Sequence, residues 1–333
     1  MSNLLKFYRT AAYLKPKQIR SQIKWRLFRN AKSKIPLSEL HANWQYSADV
    51  LEPVPVHDAK KILEGRFSFI NKQLRLGFPP KWNVDEIKLW QYNLHYLDFI
   101  HFLTYEDAKK VSIDWIDKNP LDNKNCAWEP YPLSLRLMNF VLVFYGKYIN
   151  ELQRDNEFNE KLSRSIAQQT CSLINQREFH LLGNHLFENG VALTFIGHCF
   201  DGEIAQASKK AGLEILYEQL PEQFPSDGLH FELSPAYQCR MMWLLLSVWQ
   251  QIKSHSLGEL IKPYIERGLH ALQALCHPDG DISLLNDSAL SIHQEPNKIF
   301  DYAQKLGFKQ ESKHGNIALL NSHYYGYKDE KNY

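Results

Sequence analysis

The chain has 333 residues, 44% of them hydrophobic, which excludes a disordered chain because so much apolar surface can form a sizeable core. Its 39 lysines and arginines nearly balance its 37 acids, and no apolar run approaches the ~18 residues of a membrane span. We therefore expect no transmembrane segment and no nucleic-acid partner. The five cysteines are widely spaced, which disfavours a disulfide framework and a cysteine zinc site.

The N-terminal region is basic, since residues 1–36 carry ten lysines and arginines and no acid. Such an arm suits a polyanion, a membrane surface or an acidic partner. The alternative is a solvated amphipathic helix at about 16–32 that packs on the body of the protein through Ile19, Ile23 and Leu27.

The middle of the chain has a helical pattern, because its apolar residues recur at helical spacing in segments of roughly 12–20 residues. The predicted helices cover residues 87–104, 107–118, 133–149, 159–176, 185–199, 203–220, 235–253 and 258–276. Helices of similar length with short connections form antiparallel hairpins, and hairpins side by side build a solenoid or an α/α toroid. Periodicity alone leaves both architectures open.

Strands are predicted only near the C-terminus, at residues 281–285, 317–321 and 323–327. We therefore expect an all-α protein with a short β segment at its end. The predicted parts are a basic N-terminal arm with short helices (1–80), a helical body (81–290) and the start of a β domain (291–333).

Four polar clusters lie at the predicted helix ends and connections, where loops usually carry function. The first is the sequence WQYNLHY, in which helical spacing places Tyr92, His95 and Tyr96 on one face. This face is either a sugar-binding wall or an aromatic cluster inside the core.

The second cluster is the sequence WEPYPLSLR, in which a loop with two prolines leads into a helix. The loop presents Trp128 and Tyr131, and the forked guanidinium of Arg136 inside the helix suits a carboxylate. The alternative is a rigid helix entry in which Arg136 pairs with Glu129.

The third cluster is the sequence HLLGNHLFEN, in which a glycine breaks the chain before a new helix. We expect Asn184 to cap this helix. His185, Glu188 and Asn189 then share one helix face. Each of these residues alone suits a structural role, but together they suggest a binding site.

The fourth cluster is the sequence DGLHFELSPAY, in which a turn precedes a helix with Ser234 as its cap and Pro235 at its first position. Tyr237 falls in the first turn, where we expect the helix dipole to lower the pKa of its hydroxyl. A tyrosine so placed can act as a general base or acid. The alternative is a buried tyrosine bonded to Glu232.

Glycoside hydrolysis is an alternative chemistry, and it needs a pair of carboxylates, one on either side of the sugar linkage. The candidate acids are Glu129, Asp227, Glu232 and Asp287, whose separations the sequence does not give. Motifs for nucleotide binding, zinc proteases and serine hydrolases are absent from the sequence.

Taken together, the clusters resemble the heparinase II/III-like polysaccharide lyases, including the alginate-lyase-like members of bacterial exopolysaccharide gene clusters. The resemblance runs from about residue 89 to 288 and rests on the order and spacing of five segments. These are LWQYNLHYLDF, WEPYPLSLRLMNF, LLGNHLFENGVAL, DGLHFELSPAYQ and HPDGDISLLNDSA.

The resemblance implies an incomplete α/α toroid followed by a β-sandwich, and β-elimination at a uronic acid within an acidic polysaccharide. It assigns Asn184 and His185 to the substrate carboxylate or to a base, and Tyr237 to the base, the acid or both. The expected substrate wall comprises Tyr92, His95, Trp128, Glu129, Tyr131, Arg136, Glu188, Asn189 and Glu232.

The sequence departs from the family pattern in two ways. Gln238 stands where the family usually has a histidine, and the sequence stops where the β-sandwich, with a further catalytic histidine and often a structural metal, should begin. We therefore expect no metal or cofactor within this chain and an incomplete cleft in the isolated chain. Two alternatives are a separately encoded β-sandwich partner and a non-catalytic module that binds acidic glycans.

The first residues show no apolar stretch of signal-peptide length. The expected location is therefore the cytoplasm, or the periplasm or cell exterior if the start of the sequence is misassigned.

Overall fold

The computed structural model describes residues 14–28, 40–42, 56–121, 125–252, 256–309 and 315–329, and helices dominate these residues. The α-helices are α1 (Pro16–Phe28), α2 (Ala59–Leu63), α3 (Lys88–Tyr96), α4 (Tyr105–Lys118), α5 (Pro130–Phe140), α6 (Ile149–Leu152), α7 (Asn156–Asn175), α8 (Gly183–Cys199), α9 (Glu203–Gln223), α10 (Pro235–Ile252), α11 (Ser256–Ala274) and α12 (Pro296–Lys305). The strands are β1 (His41–Ala42), β2 (Arg66–Phe69), β3 (Lys72–Arg75), β4 (Phe200–Asp201), β5 (Gly315–Leu319) and β6 (Tyr324–Lys328). They pair antiparallel as β1–β4, β2–β3 and β5–β6.

Helix α8 lies at the centre of the helical body, where it packs against α5, α7, α9 and α10. Most of its side chains are buried, as expected for a helix that is apolar nearly all round. It packs most extensively on α9, because glycines let the two backbones approach. A Cβ at Gly197 would lie only 2.5 Å from the Cα of Lys209.

The second half of the body also contains a pair of consecutive packed helices, since α10 packs on α11, and both helices contact α12. Nearly every side chain of α10 is buried, which its apolar sequence predicts. The prediction of an all-α fold built from consecutive packed helices is confirmed.

Two predicted helices differ from the observed ones. The segment predicted at 87–104 is interrupted at Leu97, whose φ of 58° ends α3 before a 3₁₀ turn at Asp98–Phe102. The helix predicted at 133–149 begins earlier, at Pro130, and widens into a π-helical stretch at Val141–Lys147.

Three differences concern β structure. The hairpin β2–β3 lies in the region predicted to hold only short helices, and α12 lies in the region predicted to begin a β domain. Of the three predicted C-terminal strands, two form the hairpin β5–β6, whereas residues 281–285 contribute only one bridge, between Ile282 and Cys276.

The predicted apolar packing of the N-terminal helix is wrong, since Ile19 is 40% exposed and Ile23 is 56% exposed. Polar contacts hold α1 instead: Lys17 pairs with Glu218 of α9, and Gln18 reaches the carbonyl of Leu181 at 3.5 Å. The side chain of the third predicted contact and the flanks of the basic arm lie outside the described residues. Within the described residues, every helix is too short or too polar to cross a bilayer.

Candidate functional site

The candidate site forms where the first turns of α5, α8 and α10 meet. Helix α8 follows Leu182, a non-glycine residue with a φ of 62°, so the chain turns sharply before Asn184. Asn184 therefore lies within the first turn of α8, and the prediction that it caps the helix is wrong. At the start of α10, the backbone N–H of Tyr237 donates to Ser234 Oγ at 3.4 Å, as the predicted cap requires.

The loop before α10 is fixed by the segment that follows α11. Ser234 Oγ lies 2.8 Å from Ser288 Oγ, and Asn286 donates to the carbonyl of Leu233 at 2.6 Å. Tyr324 of β6 donates to the same carbonyl at 3.1 Å. These bonds hold the Tyr237 turn against the segment that follows α11 and against the β5–β6 hairpin.

A buried ion pair joins the three helices beneath the site. Glu188 of α8 is 1% exposed, accepts a hydrogen bond from Tyr131 of α5 at 2.7 Å and pairs with Arg240 of α10 at 2.6 Å. Burial opposes the charge of Arg240, but the attraction of Glu188 outweighs it and raises the pKa of the guanidinium. Glu188 thus aligns the helices that carry the site.

His185 lies next to this ion pair and is bonded to a second buried acid. Its Nδ1 lies 3.1 Å from Glu178 Oε1, and its ring packs on Tyr131 with centroids 4.4 Å apart. Burial disfavours the charged ring, but the bond to Glu178 and the attraction of nearby acids raise the pKa of His185 above its ordinary value. Asn189 is buried and donates to Glu178 and to Ser134.

Glu232 connects the two site loops. Its carboxylate interacts electrostatically with the backbone N–H of Asn184, with His185 and with Tyr237. Burial and the repulsion of Asp287 raise the pKa of Glu232. The predicted alternative of a direct bond between Tyr237 and Glu232 is absent from the hydrogen bonds of the described residues.

Tyr237 is a protonated phenol at neutral pH. Burial raises the pKa of its hydroxyl, and the negative charges of Glu232, Asp287 and Glu188 raise it further. The expectation of a lowered pKa is therefore wrong, because burial and, after it, three nearby acids raise the pKa of this hydroxyl. The ring of His293 lies 5.6 Å from that of Tyr237, and burial, with the charge of Arg240, lowers the pKa of His293 to about 3.

A row of aromatic rings leads from α3 to His185. Tyr92, Tyr96 and Tyr131 follow one another with centroids 6.4 and 5.9 Å apart. At the outer end, Tyr92 donates to Glu129, which also pairs with Lys88 at 2.7 Å. The first and second clusters therefore meet at one wall.

Five predicted wall residues are buried instead: Glu188 and Asn189 lie beneath the site, and three others lie in the core. His95 is buried and accepts a hydrogen bond from Trp115, and Trp128 is buried and donates to the carbonyl of Asn119. Arg136 is fully buried over the ring of Trp115 and donates to oxygens of Gln169, His95 and Ala127. Neither a substrate carboxylate nor Glu129 is the partner of Arg136, because amide and carbonyl oxygens already satisfy its guanidinium.

Sequence reasoning missed three groups at the site, Glu178, Arg240 and His293. Arg240 lies one helical turn after Tyr237, so helical spacing could have indicated it. Glu178 and His293 come from irregular segments, where periodicity carries no signal.

The family model of the heparinase II/III N-terminus matches residues 105–312. The chain belongs to the heparinase II/III family. A heparin-sulfate lyase from Pedobacter heparinus is 24% identical over an alignment of 222 positions, which covers 62% of this chain and 33% of that protein. The chain thus spans about a third of this curated heparinase relative.

Solved structures of the family have the same fold. A mutant of the heparan sulfate lyase HepC from Pedobacter heparinus matches 93% of this chain and 52% of its own, with a TM-score of 0.58 and 19% identity. A heparinase III, the BT4657 gene product, matches 85% of this chain and 52% of its own, with a TM-score of 0.58 and 17% identity. The predicted α/α toroid is therefore the fold of this chain, which spans about half of each solved heparinase.

Proposed function

We propose that this chain is the helical half of a lyase that cleaves uronic-acid-containing polysaccharide by β-elimination. The observation that carries the proposal is the meeting of two site loops. Glu232 interacts electrostatically with the backbone of Asn184, with His185 and with Tyr237. We infer that the side chains of Asn184, His185 and Tyr237 face one groove around Glu232, and β-elimination requires groups of these kinds.

The reaction needs charge neutralisation because removal of the α-proton of a uronate adds a second negative charge beside its carboxylate. In our proposal, Asn184 and His185 bind that carboxylate. Tyr237 first gives its hydroxyl proton to solvent, a step that its raised pKa makes costly. As phenolate it takes the proton from the α-carbon, and the released electron pair forms a double bond as the bond to the leaving sugar oxygen breaks. The phenol then returns that proton to the leaving oxygen, which regenerates the phenolate for the next cycle.

We further propose that a β-sandwich half completes the cleft, from the same polypeptide or from a separate one. Large apolar side chains are exposed on the loop before α10, on the segment between α11 and α12 and on the turn between β5 and β6. They are Phe231, Leu284, Leu290, Ile292 and Leu320. An exposed apolar set of this kind favours a covering protein surface.

The test is incubation with alginate, heparan sulfate and bacterial exopolysaccharide while the near-ultraviolet absorbance of the new conjugated double bond is followed. We expect absorbance to rise with at least one uronate polymer. If the chain alone gives no signal, we expect the rise once the β-sandwich half is added. The Tyr237→Phe variant should abolish the rise. Silence with every polymer, even with that half added, rejects the lyase. Saturated ends, lost on Glu232→Gln, would indicate a glycosidase.

A non-catalytic glycan-binding module is the second candidate, favoured by the row of aromatic rings that leads to His185, because sugars stack on such rings. It predicts binding of uronate polymers that weakens with salt and survives Tyr237→Phe, because the phenol would have no proton to transfer. Titration of the folded variant with a fluorescent alginate oligomer measures this.

A further inference from the structure

We propose that Glu178 is a positioning residue that holds the proton of His185 on Nδ1 and directs Nε2 into the groove. This role deepens the proposed function, and only its consequence for catalysis rests on that function. It gives His185 one defined task, as the donor that binds an anionic group of the glycan.

The position of Glu178 is fixed on every side. Its side chain is only 5% exposed. One carboxylate oxygen faces His185 Nδ1 at 3.1 Å, and the other accepts from Asn189 Nδ2 at 3.1 Å. The amide of Asn189 returns a bond, since its oxygen accepts the backbone N–H of Glu178 at 2.9 Å. A carboxylate held this way cannot follow the imidazole, so the imidazole must orient to the carboxylate.

The chemistry of the two partners then decides the tautomer. A carboxylate only accepts hydrogen bonds, so the proton of the shared bond belongs to His185 Nδ1. No described residue bonds to Nε2 of this ring, and 33% of the side chain is exposed. Contact with Tyr131 limits ring rotation. Nε2 is therefore the nitrogen available to a ligand.

The groups around the ring favour its cationic form. Burial of the ring and the charge of His180 oppose this form, but Glu178 from the preceding loop, Glu188 from the same helix and Glu232 from the loop before α10 outweigh them. With both nitrogens protonated, Nε2–H donates to a carboxylate. Such a ring binds the substrate anion and leaves proton abstraction to Tyr237.

The experiment is nuclear magnetic resonance of the free, full chain with labelled histidine, assigned by His185→Asn. We expect His185 to titrate above the ordinary 6.5 and its neutral form to carry the proton on Nδ1. Glu178→Gln keeps the shape of the side chain but removes its charge, so proton affinity should fall by about tenfold or more. Glu178→Asp, which keeps the charge, should restore most of it.

The matched control is Glu232→Gln, which removes a nearby charge without a bond to the ring and should shift the titration less. An Nε2–H tautomer in the wild-type chain, or an unchanged titration in Glu178→Gln, overturns the proposal. If the glutamine variant fails to fold, the wild-type tautomer alone decides.

The lyase assay separates this proposal from the proposed function. If the chain cleaves a glycan, Glu178→Gln should lower kcat/KM by about 10- to 100-fold, the range for lost support of a functional histidine. It should also move the basic limb of the pH profile down with the pKa of His185, because the protonated ring is the form that binds the substrate anion. If the chain cleaves no glycan but His185 titrates as expected, the lyase is rejected and the positioning role of Glu178 stands. If the chain cleaves a glycan but His185 does not titrate as expected, the lyase stands and the positioning role is rejected.

Discussion

Arg136 shows how a residue that looks functional in the sequence can be structural. Its guanidinium is fully buried, has no acid among its hydrogen-bond partners and donates to three separate oxygens from α7, α3 and the segment before α5. Burial without a counter-charge lowers its pKa well below the usual value for arginine. Only a planar, five-donor group can satisfy acceptors in three directions.

We therefore expect Arg136→Lys to lower the free energy of unfolding by about 2–4 kcal/mol, because a lysine leaves buried acceptors without a donor. Urea unfolding measures the change. The control is Arg164→Lys, an exposed arginine paired with Glu160, which should change stability by about 0.5 kcal/mol or less. Unchanged stability with weakened glycan binding would return Arg136 to the groove wall.

At the level of single residues, the sequence could indicate Asn184, His185 and Tyr237 because each lies in the first turn of a helix, and such starts are visible as turn residues before apolar periodicity. It could not assign their partners. Glu178 reaches His185 only because the chain reverses at Leu182, whose positive φ no propensity scale predicts for leucine. The partner of a buried group is a fact of tertiary structure.

Among the contacts between secondary-structure elements, the close approach of α8 and α9 depends on the missing Cβ atoms of glycines. The two helices touch where Gly197 faces the backbone of Lys209. We expect Gly197→Ala to destabilise the protein by about 1–3 kcal/mol, although alanine favours helices, because its methyl group must push two backbones apart.

The comparison for this prediction is Gly326→Ala in β6, where an added Cβ meets nothing within 4 Å. That variant should lie within about 0.5 kcal/mol of the wild type. Thermal unfolding of both variants measures the difference. A Gly197→Ala protein as stable as Gly326→Ala would mean that α8 and α9 pack less closely than described.

The elements that the sequence predicted and those it missed differ in length. Long helices such as α7 and α10 have enough apolar residues to define a period, so their existence and type were clear. The hairpin β2–β3 offers only four residues a strand, with Phe67 and Phe69 buried on one face, and its turn uses Ile70 and Asn71 at positive φ. Two alternations are too few to distinguish a strand from a loop.

For the whole molecule, the ring of helices could be predicted as hairpins, but its closure rests on contacts between distant segments. Asp227 accepts hydrogen bonds from the backbone and hydroxyl of Ser322, nearly a hundred positions away, and so ties the site loop to the β5–β6 hairpin. The spacing of residues along the chain cannot predict such a bond. A resemblance to a known family supplied what local pattern could not.

The pH dependence of global stability follows from three buried histidines, His95, His101 and His230, and from the half-buried His293. Burial lowers the pKa of His95, His230 and His293 to about 3, and that of His101 to about 4. The unfolded chain, in which these rings titrate near 6.5, binds more protons below that pH. The stability they contribute is therefore complete above about 6.5 and is lost as the pH falls towards 4.

Each ring changes the free energy of unfolding by up to about 1.4 kcal/mol per pH unit, so the four together give up to about 5 kcal/mol per unit in mild acid. Urea unfolding between pH 7 and 5 measures this slope. Histidine resonances in the folded chain provide an independent check, since four rings should stay neutral until the protein unfolds. Titration of all the histidines near 6.5 in the folded chain would mean that water reaches these rings and that the helices enclose them less completely than their burial indicates.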